Sequence, residues 1–499
     1  MNGNPATLLP VALFLVLGLG LTFLIRYQSR KNRQNGFVSE YFIGSRSLGA
    51  FVLAMTTIAT YGSVSSFVGG PGQAWNVGFG WVYMATIQVT ALFLLYGIMG
   101  KKMALVSRKL GAITVIDVLR ARYNSNALAN TAAIVIVLFF GATMVAQFVG
   151  GAKLFEAVTG YSYEVGLAIF GIAAILFTAL GGFRGVAFVD TLCGIAMIVG
   201  IFVLAGGILH AGGGYTNIMA NLQANNPQLL EPLGGGDMPV GLYFTQWLLV
   251  GVFTFCLPQS VVRCMGYKDS KSLRQAMIIG TIIIGAMMIG VTALGVLAKG
   301  ILPADISAYG NSVDNIIPLA IVQSLPPWLA GVAIIGPVAA SISTVASLLI
   351  SSSSSIIKDM FLHYREQKHD VPSGKQVARY SQVFTFVVGV IVFVLSVVPP
   401  DVIWKINMFA FGGLETAFCW VLVMGLFWKR ANKAGAILSM VLGTVAYCAT
   451  MAAGITFFGL HQIVIGITVS FVAMVVGSLV FKPKDKETEK KTQLIFFGE

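Results

Sequence analysis

Residues 59–72 read ATYGSVSSFVGGPG and lie inside a long apolar stretch. This short segment holds four serine and threonine side chains, four glycines and a proline. Glycine and proline disfavour a regular helix, and proline also removes one backbone N–H donor. In a membrane, irregular backbone is tolerated only where it is buried in protein or lines a cavity. If its surroundings cross a bilayer, the stretch therefore predicts a broken helix that is buried in protein or lines a cavity.

The composition of the chain places this segment in a membrane protein. Of the 499 residues, 57% are hydrophobic and only 10% are charged, whereas about 25% charged residues is usual for a soluble domain. Apolar runs of about 20 residues, the length that crosses a bilayer as a helix, recur along nearly the whole chain. The sequence predicts an all-α polytopic protein of the cell membrane.

We predict 13 membrane spans, numbered from the N-terminus. Their expected boundaries are 8–26, 47–74, 81–105, 127–156, 161–181, 187–210, 241–265, 275–301, 326–357, 378–398, 402–428, 433–456 and 462–481.

The basic residues indicate the orientation of the chain. With the N-terminus outside and the C-terminus inside, all but Lys153, Lys299 and Lys405 of the 32 Lys and Arg residues lie in cytoplasmic segments or at their edges. This is the bias that the positive-inside rule describes. The net charge of +13 is therefore explained by topology rather than by nucleic-acid binding, and the tail KPKDKETEKK (482–491) is expected to be solvated in the cytoplasm.

A second polar stretch, PVAASISTVASLLISSSSS (337–355), lies in the ninth span. Taken alone, such residues more often pack helices closely or bond back to carbonyls of their own helix. Together with a broken second span, these residues suggest a binding site for an ion. Carbonyl groups of ATYG (59–62) and the hydroxyls of Ser343 and Thr344 would form a small all-oxygen site, which suits a hard, singly charged cation. Sodium is the expected ion.

Two carboxylates fall inside apolar spans. Asp190 lies near the cytoplasmic end of the sixth span, and Glu415 lies 14 residues before Lys429 in the eleventh. Carboxylates inside a membrane are costly and are candidates for function. Coupling or gating is one interpretation for both; a structural role, protonated or paired with a neighbouring helix, is the other.

Proline also interrupts the seventh span, in LPQSVVRCMGYKDSK (257–271). Two interrupted spans in corresponding positions of two halves are typical of a transporter binding site. The second and seventh spans are five apart, which predicts two inverted repeats of five helices each. The expected organisation is a first helix and loop (1–46), a first repeat (47–211), an extracellular loop (212–240), a second repeat (241–430), two peripheral helices (431–481) and a tail (482–499).

Three motifs carry a resemblance to a known family. YFIGSRSLG (41–49), ALGGFRG (179–185) and GLFWKRANKAGAILSMVLGTV (425–445) are similar to motifs of the sodium:solute symporter family, and the likeness extends over nearly the full chain. Gly185 departs from the more usual small residue at its position. The resemblance implies the leucine-transporter (LeuT) type fold of 5+5 inverted repeats, with sodium as the coupling ion and no other cofactor.

The resemblance also implies roles for individual residues. The sodium ligands would be the carbonyls of Ala59, Gly62 and Ala340 and the hydroxyls of Ser343 and Thr344. The substrate-binding residues would be Tyr61, Ser65, Ser66, Gln88, Phe253, Thr254 and Met408. Phe253 would act as an inner aromatic gate, and Trp404, near the outer end of its span, would close the other side.

Within the family, QFVGGAKLFE (147–156) and FAFGGLETAF (409–418) are most similar to the branch that carries pantothenate. This implies that the substrate is pantothenate or a similar small organic anion. It also implies that the protein imports this substrate together with sodium by alternating access. Gly62 and Cys193 depart from that branch. Proline carriers have an aspartate where this chain has Tyr61, so proline is not expected.

Alternatives remain at this point. The nearest is a sodium symporter of the same family for another small carboxylate or metabolite, and a less favoured one is a sensor built on the transporter fold. The sequence shows no catalytic triad, phosphate loop or metal cluster, so it does not predict an enzyme. We expect no basic residue in the middle of the second, third, seventh or eleventh span, and a substrate carboxylate would instead meet a half-helix N-terminus after GGPG (69–72).

Overall fold

The structure is a computed structural model, and it describes residues 4–31, 46–234, 238–303, 312–369, 372–398, 403–481 and 486–498. These residues are almost entirely helical. Their only β-type pairings are two isolated bridges, Leu48 with Tyr267 and Phe457 with Leu460. The fold is all-α, as the composition indicates.

Among the described residues, eleven single helices are long and apolar enough to cross a membrane. Two pairs of helices, each joined at a bend, meet the same test when each pair is taken together. In chain order they are Pro5–Gln28, Ala50–Tyr61 with Ser65–Val77, Phe79–Leu110, Asn126–Thr159, Tyr163–Phe183, Gly185–Ala211, Val240–Cys256 with Pro258–Gly266, Ser270–Ala298, Pro327–Gln367, Gln376–Leu395, Lys405–Phe427, Lys433–Ala452 and Ile463–Val480.

Four shorter helices lie between or after the spans. They are Val115–Tyr123, Tyr215–Asn225, Ile316–Ser324 and Lys486–Phe497. The first of them begins with a reciprocal capping box, in which Thr114 and Asp117 satisfy each other's backbone N–H groups, the arrangement that stabilises an isolated helix start.

The two bent spans are the second and the seventh, as the glycine and proline pattern predicts. The second span bends by 62° at Gly62, whose extended backbone (φ −67°, ψ 117°) ends the first helix. The seventh bends by 42° at Leu257, which is also extended and precedes Pro258. A residue before proline is disfavoured in helical conformation, so the seventh break follows directly from the sequence.

The first half of the second span lies at the centre of the protein. Residues 53–60 are all buried, and this helix packs against the sixth, eighth and ninth spans. The sixth and ninth spans in turn approach each other closely at Gly200 and Gly336, where a Cβ on Gly200 would come within 3.1 Å of the Gly336 Cα. Small residues allow such approaches in membrane proteins, and they bring the elements of the site together.

The C-terminal helix continues beyond the charged segment 482–491 that we expect to be solvated. The helix Lys486–Phe497 packs against the third span and the helix after it. Phe496 is 2% exposed. The Arg122 guanidinium lies 5.7 Å from the centre of the Phe496 ring and 5.6 Å from that of Phe497, and the Lys102 ammonium lies 5.1 Å from the Phe497 ring. The two phenylalanines, beyond the charged part of the tail, account for this docking, because cations attract aromatic rings.

The eighth span supports the second span at one glycine. A Cβ on Gly295 would lie 2.0 Å from the Pro71 carbonyl oxygen, whereas a Cβ on Gly290 of the same helix would meet nothing closer than 3.9 Å. Alanine normally favours a helix over glycine by about 1 kcal/mol, but overpacking costs about 1–3 kcal/mol.

We therefore expect Gly295→Ala to lower the thermal unfolding midpoint of the purified protein and Gly290→Ala to leave it unchanged or raise it. Equal midpoints for the two variants would contradict the close approach at Pro71.

Candidate functional site

The break in the second span faces the ninth span. A helix that ends at Tyr61 leaves its last carbonyl groups without their usual N–H partners; the Ile58 carbonyl is taken by the Gly62 N–H. On the facing helix, the Thr344 hydroxyl donates to the Gly62 carbonyl at 3.3 Å. The oxygen atoms of the break and of the ninth span therefore meet directly, at a point shielded from solvent.

The five predicted sodium ligands lie on these two facing segments. Ala59, Ala340 and Ser343 are 0% exposed and Thr344 is 2% exposed, and Gly62 is buried as well. Carbonyl and hydroxyl oxygens are the ligands that hard cations prefer. The arrangement can hold a small cation without any charged side chain among the five.

A carboxylate adjoins this group of oxygens. Asp190, on the sixth span, is 0% exposed; it accepts hydrogen bonds from the Ser343 hydroxyl at 2.6 Å and from the Thr56 hydroxyl at 2.7 Å. Ser343 therefore touches both the candidate ion site and Asp190. The Asp190 carboxylate lies one side chain away from the place where a cation would bind.

Arg263 pairs with Asp190, and sequence reasoning missed it. Its guanidinium is 2% exposed and lies 3.4 Å from the Asp190 carboxylate. It also donates to the Ser347 hydroxyl at 2.8 Å and to the Thr60 hydroxyl. Arg263 lies in the last turn of the seventh span, Arg263–Gly266, so the expectation of no basic residue in the middle of that span stays a prediction. The available signal was an arginine beyond the proline break, which we had assigned to the cytoplasmic edge.

A central cavity lies beside the break, between the second, third, seventh, eighth and eleventh spans. Its lining residues are Tyr61, Ser63, Ser65, Ser66, Gly70, Trp81, Gln88, Val250, Met288, Thr292, Asn407, Met408 and Phe411. Its volume is about 30 Å³, and about 480 Å³ of empty space is present when its open mouth is included. The cavity is therefore narrow in this conformation.

Most of the predicted substrate-binding residues line this cavity. Tyr61, Ser65, Ser66, Gln88 and Met408 are among its lining residues. Phe253 and Thr254 are not; they lie one turn further along the seventh span, and the Thr254 hydroxyl donates to the Gly251 carbonyl at 2.8 Å. Asn407 also lines the cavity, although only its neighbour Met408 was predicted to do so.

The cavity is polar but uncharged. Among the described residues that line it, none carries a charge. The expected half-helix N-terminus after GGPG is not there, because the π-helical turn Ser65–Gly69 continues directly into the helix Gly70–Val77, whose Pro71 lies in its first turn, where proline is tolerated. The half-helix instead begins near Ser65, so the positive end of its dipole faces the cavity.

Two further predicted coupling or gating residues lie on the helix Ile403–Phe427. Glu415 is 0% exposed, and neither of its carboxyl oxygens has a hydrogen-bond partner among the described residues. A buried carboxylate without a partner is costly. The side chain of Trp404 lies outside the described residues.

A double-mutant cycle tests the Asp190–Arg263 pair. Removing one partner of a buried ion pair costs about 3–5 kcal/mol, because the other charge stays buried and unpaired. We expect Arg263→Met and Asp190→Asn each to lower the thermal unfolding midpoint strongly and the double variant to lose less than the sum. The exposed Arg274 on the eighth span provides the control, since Arg274→Met should change the midpoint little. Additive losses would show that the two side chains act independently.

Comparisons with known proteins agree with this architecture. The family model "Sodium:solute symporter family" matches residues 41–443. A sodium/pantothenate symporter of Escherichia coli (strain K12) is 41% identical over 94% of this chain and 96% of its own length. A protein of the same description from Haemophilus influenzae is 37% identical over 98% of this chain and 99% of its own length.

A solved structure shares the fold. A Na⁺-coupled sialic acid symporter, in a substrate-bound outward-open state, superposes with a TM-score of 0.82 at 20% identity, covering 96% of this chain and 98% of the other. The family match over most of the chain, the two long relatives and the shared fold lead to one conclusion: this chain belongs to the sodium:solute symporter family.

Proposed function

We propose that this protein imports pantothenate together with sodium by alternating access, with no catalytic step. The observation that carries the proposal is the identity of 41% and 37% with two sodium/pantothenate symporters over nearly the whole length of all three chains. The neutral polar cavity supports it, because serine hydroxyls, Gln88 and Tyr61 can bond the amide and hydroxyl groups of that ligand.

Sodium would bind where the second and ninth spans meet. Its ligands would be the carbonyls of Ala59, Gly62 and Ala340 and the hydroxyls of Ser343 and Thr344. The contact from Thr344 to the Gly62 carbonyl supports this assignment. Sodium would hold the two spans together, and it couples to substrate only if it binds one conformation more tightly than the other.

Substrate and sodium would share the break in the second span. Gly62 belongs to the candidate ion site, and Ser63, the next residue, lines the cavity. A change in backbone conformation at the break therefore alters both sites at once. The substrate carboxylate would lie towards the beginning of the half-helix at Ser65, where the helix dipole is positive.

Asp190 and Arg263 would control opening towards the cytoplasm. Arg263 on the seventh span contacts Thr60 of the second, Asp190 of the sixth and Ser347 of the ninth. This cluster ties four spans together on the cytoplasmic side of the candidate ion site. Separation of the ninth span from the second would break it, so the cluster would act as an inner gate.

The narrow cavity requires movement during the cycle. The cavity volume of about 30 Å³ is far below the roughly 300–1,000 Å³ of a usual ligand pocket. Pantothenate would enter only after the lining side chains or helices separate. Such closure around a site is the usual means of isolating it from both sides in turn.

Uptake into proteoliposomes tests the activity. An inward sodium gradient should accelerate uptake of labelled pantothenate, and an equal potassium gradient should not. An excess of unlabelled pantothenate should compete, while other short carboxylates should compete less. Uptake that ignores the sodium gradient would contradict coupling, and stronger competition by another carboxylate would favour that cargo within the same family.

The double variant Ser343→Ala with Thr344→Ala tests the sodium site. Hydrogen bonds and similar contacts to charged groups contribute about 1.5–3 kcal/mol each, so we expect the sodium concentration for half-maximal uptake to rise at least about tenfold. Ser341→Ala on the same helix is the matched control, because its buried hydroxyl bonds the Gln147 carbonyl instead, at 2.9 Å. Normal sodium dependence of the inserted double variant would refute the assignment.

A further inference from the structure

Two polar side chains of the central cavity have no partner. Asn407 and Ser65 are each 1% exposed, and both line the cavity. The Asn407 carboxamide oxygen and the Ser65 hydroxyl have no hydrogen-bond partner among the described residues. Most buried polar atoms in proteins are hydrogen-bonded, and an exception calls for an explanation.

Other polar groups at the cavity wall are already satisfied within the protein. The Thr292 hydroxyl donates to the Met288 carbonyl at 2.7 Å, and the Tyr61 hydroxyl donates to the Val250 carbonyl. The protons of these two hydroxyls are therefore already used within the protein, and only their oxygen atoms can still accept a hydrogen bond. Asn407 and Ser65 differ from them, since each keeps an unused hydrogen-bonding atom beside the space where a substrate would lie.

The two side chains come from spans that approach the cavity from different directions. Ser65 is the first residue of the π-helical turn Ser65–Gly69, and Asn407 lies in the helix Ile403–Phe427. The backbone beside Asn407 is held in place, because the Tyr447 hydroxyl donates to the Met408 carbonyl at 3.1 Å. A site on rigid elements keeps its polar groups in position before a ligand arrives.

The chemistry of the two groups restricts what they can bind. A carboxamide oxygen only accepts hydrogen bonds, whereas a serine hydroxyl donates or accepts. A carboxylate has no proton to offer to the Asn407 carboxamide oxygen and could bond only its NH2 group. A hydroxyl group can donate to the Asn407 oxygen and accept from the Ser65 hydroxyl. We propose that Asn407, with Ser65, forms a specificity subsite for a hydroxyl group of the substrate.

This inference rests on the proposed function and deepens it. Pantothenate carries two hydroxyls, an amide and a carboxylate, so the subsite would select the hydroxyl-bearing end of the molecule. A binding site built to hydrogen-bond a hydroxyl discriminates strongly against a ligand that lacks it, because buried protein groups are then left unpaired. Asn407 would thus distinguish pantothenate from carboxylates that lack a hydroxyl group.

Inhibition of labelled pantothenate uptake in a sodium gradient tests the subsite. The probes are unlabelled pantothenate and two analogues in which one hydroxyl or the other is replaced by hydrogen. For the unmodified protein we expect at least one deoxy analogue to inhibit about ten- to a hundredfold more weakly than pantothenate. In Asn407→Leu, inhibition by unlabelled pantothenate should become weaker, whereas inhibition by that analogue should not. The ratio of the two inhibitory concentrations should therefore fall towards one.

Two other variants complete the experiment. Ser65→Ala should also lower the ratio, and it serves as the second test if Asn407→Leu does not insert into the membrane. Thr292→Val is the matched control: its hydroxyl is satisfied within the helix, so the ratio should stay as in the unmodified protein. An unchanged sodium requirement in all three variants would show that the ion site is intact.

Each remaining outcome overturns a distinct statement. If sodium drives pantothenate uptake but the ratio is unchanged in Asn407→Leu and Ser65→Ala, the subsite is wrong and the proposed function stands. The subsite is equally wrong if the unmodified protein does not discriminate against either deoxy analogue. If the unmodified protein takes up no pantothenate in a sodium gradient, the proposed function fails, and the subsite fails with it.

Discussion

The architecture depends on one backbone constraint. The second span stops being helical at Gly62, in the middle of the protein, and its last carbonyl groups lose their helical partners. Neither lipid nor an apolar side chain can satisfy those oxygens. The ninth span supplies Thr344, whose hydroxyl donates a hydrogen bond to the Gly62 carbonyl. Packing of the sixth, eighth and ninth spans around the break follows from the need to bury it in protein.

The same constraint explains why polar residues gather at the centre of an apolar protein. Asp190 and Arg263 are both buried, and a buried charge is tolerated only when it is paired and hydrogen-bonded. Their partners come from the second, sixth, seventh and ninth spans. A cluster that depends on four spans at once is sensitive to any relative movement among them, which is the property that a gate in an alternating-access cycle requires.

The central cavity shows a division among polar side chains. Some satisfy their hydrogen bonds within their own spans, as Thr292 does, and these stabilise the wall. Others, Ser65 and Asn407, keep unused atoms. The first group of side chains stabilises the folded protein, and we propose that the second group binds the substrate. Because none of the described lining residues carries a charge, hydrogen-bonding groups and the half-helix dipole are the polar features that the wall offers to a ligand.

The amino-acid sequence by itself determined the membrane class, the succession of apolar spans, the two broken helices and the facing segments of the candidate ion site. These features are local: they follow from the length of apolar runs, from glycine and proline, and from hydroxyl residues at helical spacing. Only the tertiary structure decided that Arg263 pairs with Asp190, 73 residues away, that Asn407 lines the cavity with an unpaired oxygen, and that Phe496 docks the C-terminal helix. Each of these depends on which distant helices meet and on how deeply a side chain is buried, and no single stretch of sequence contains that information.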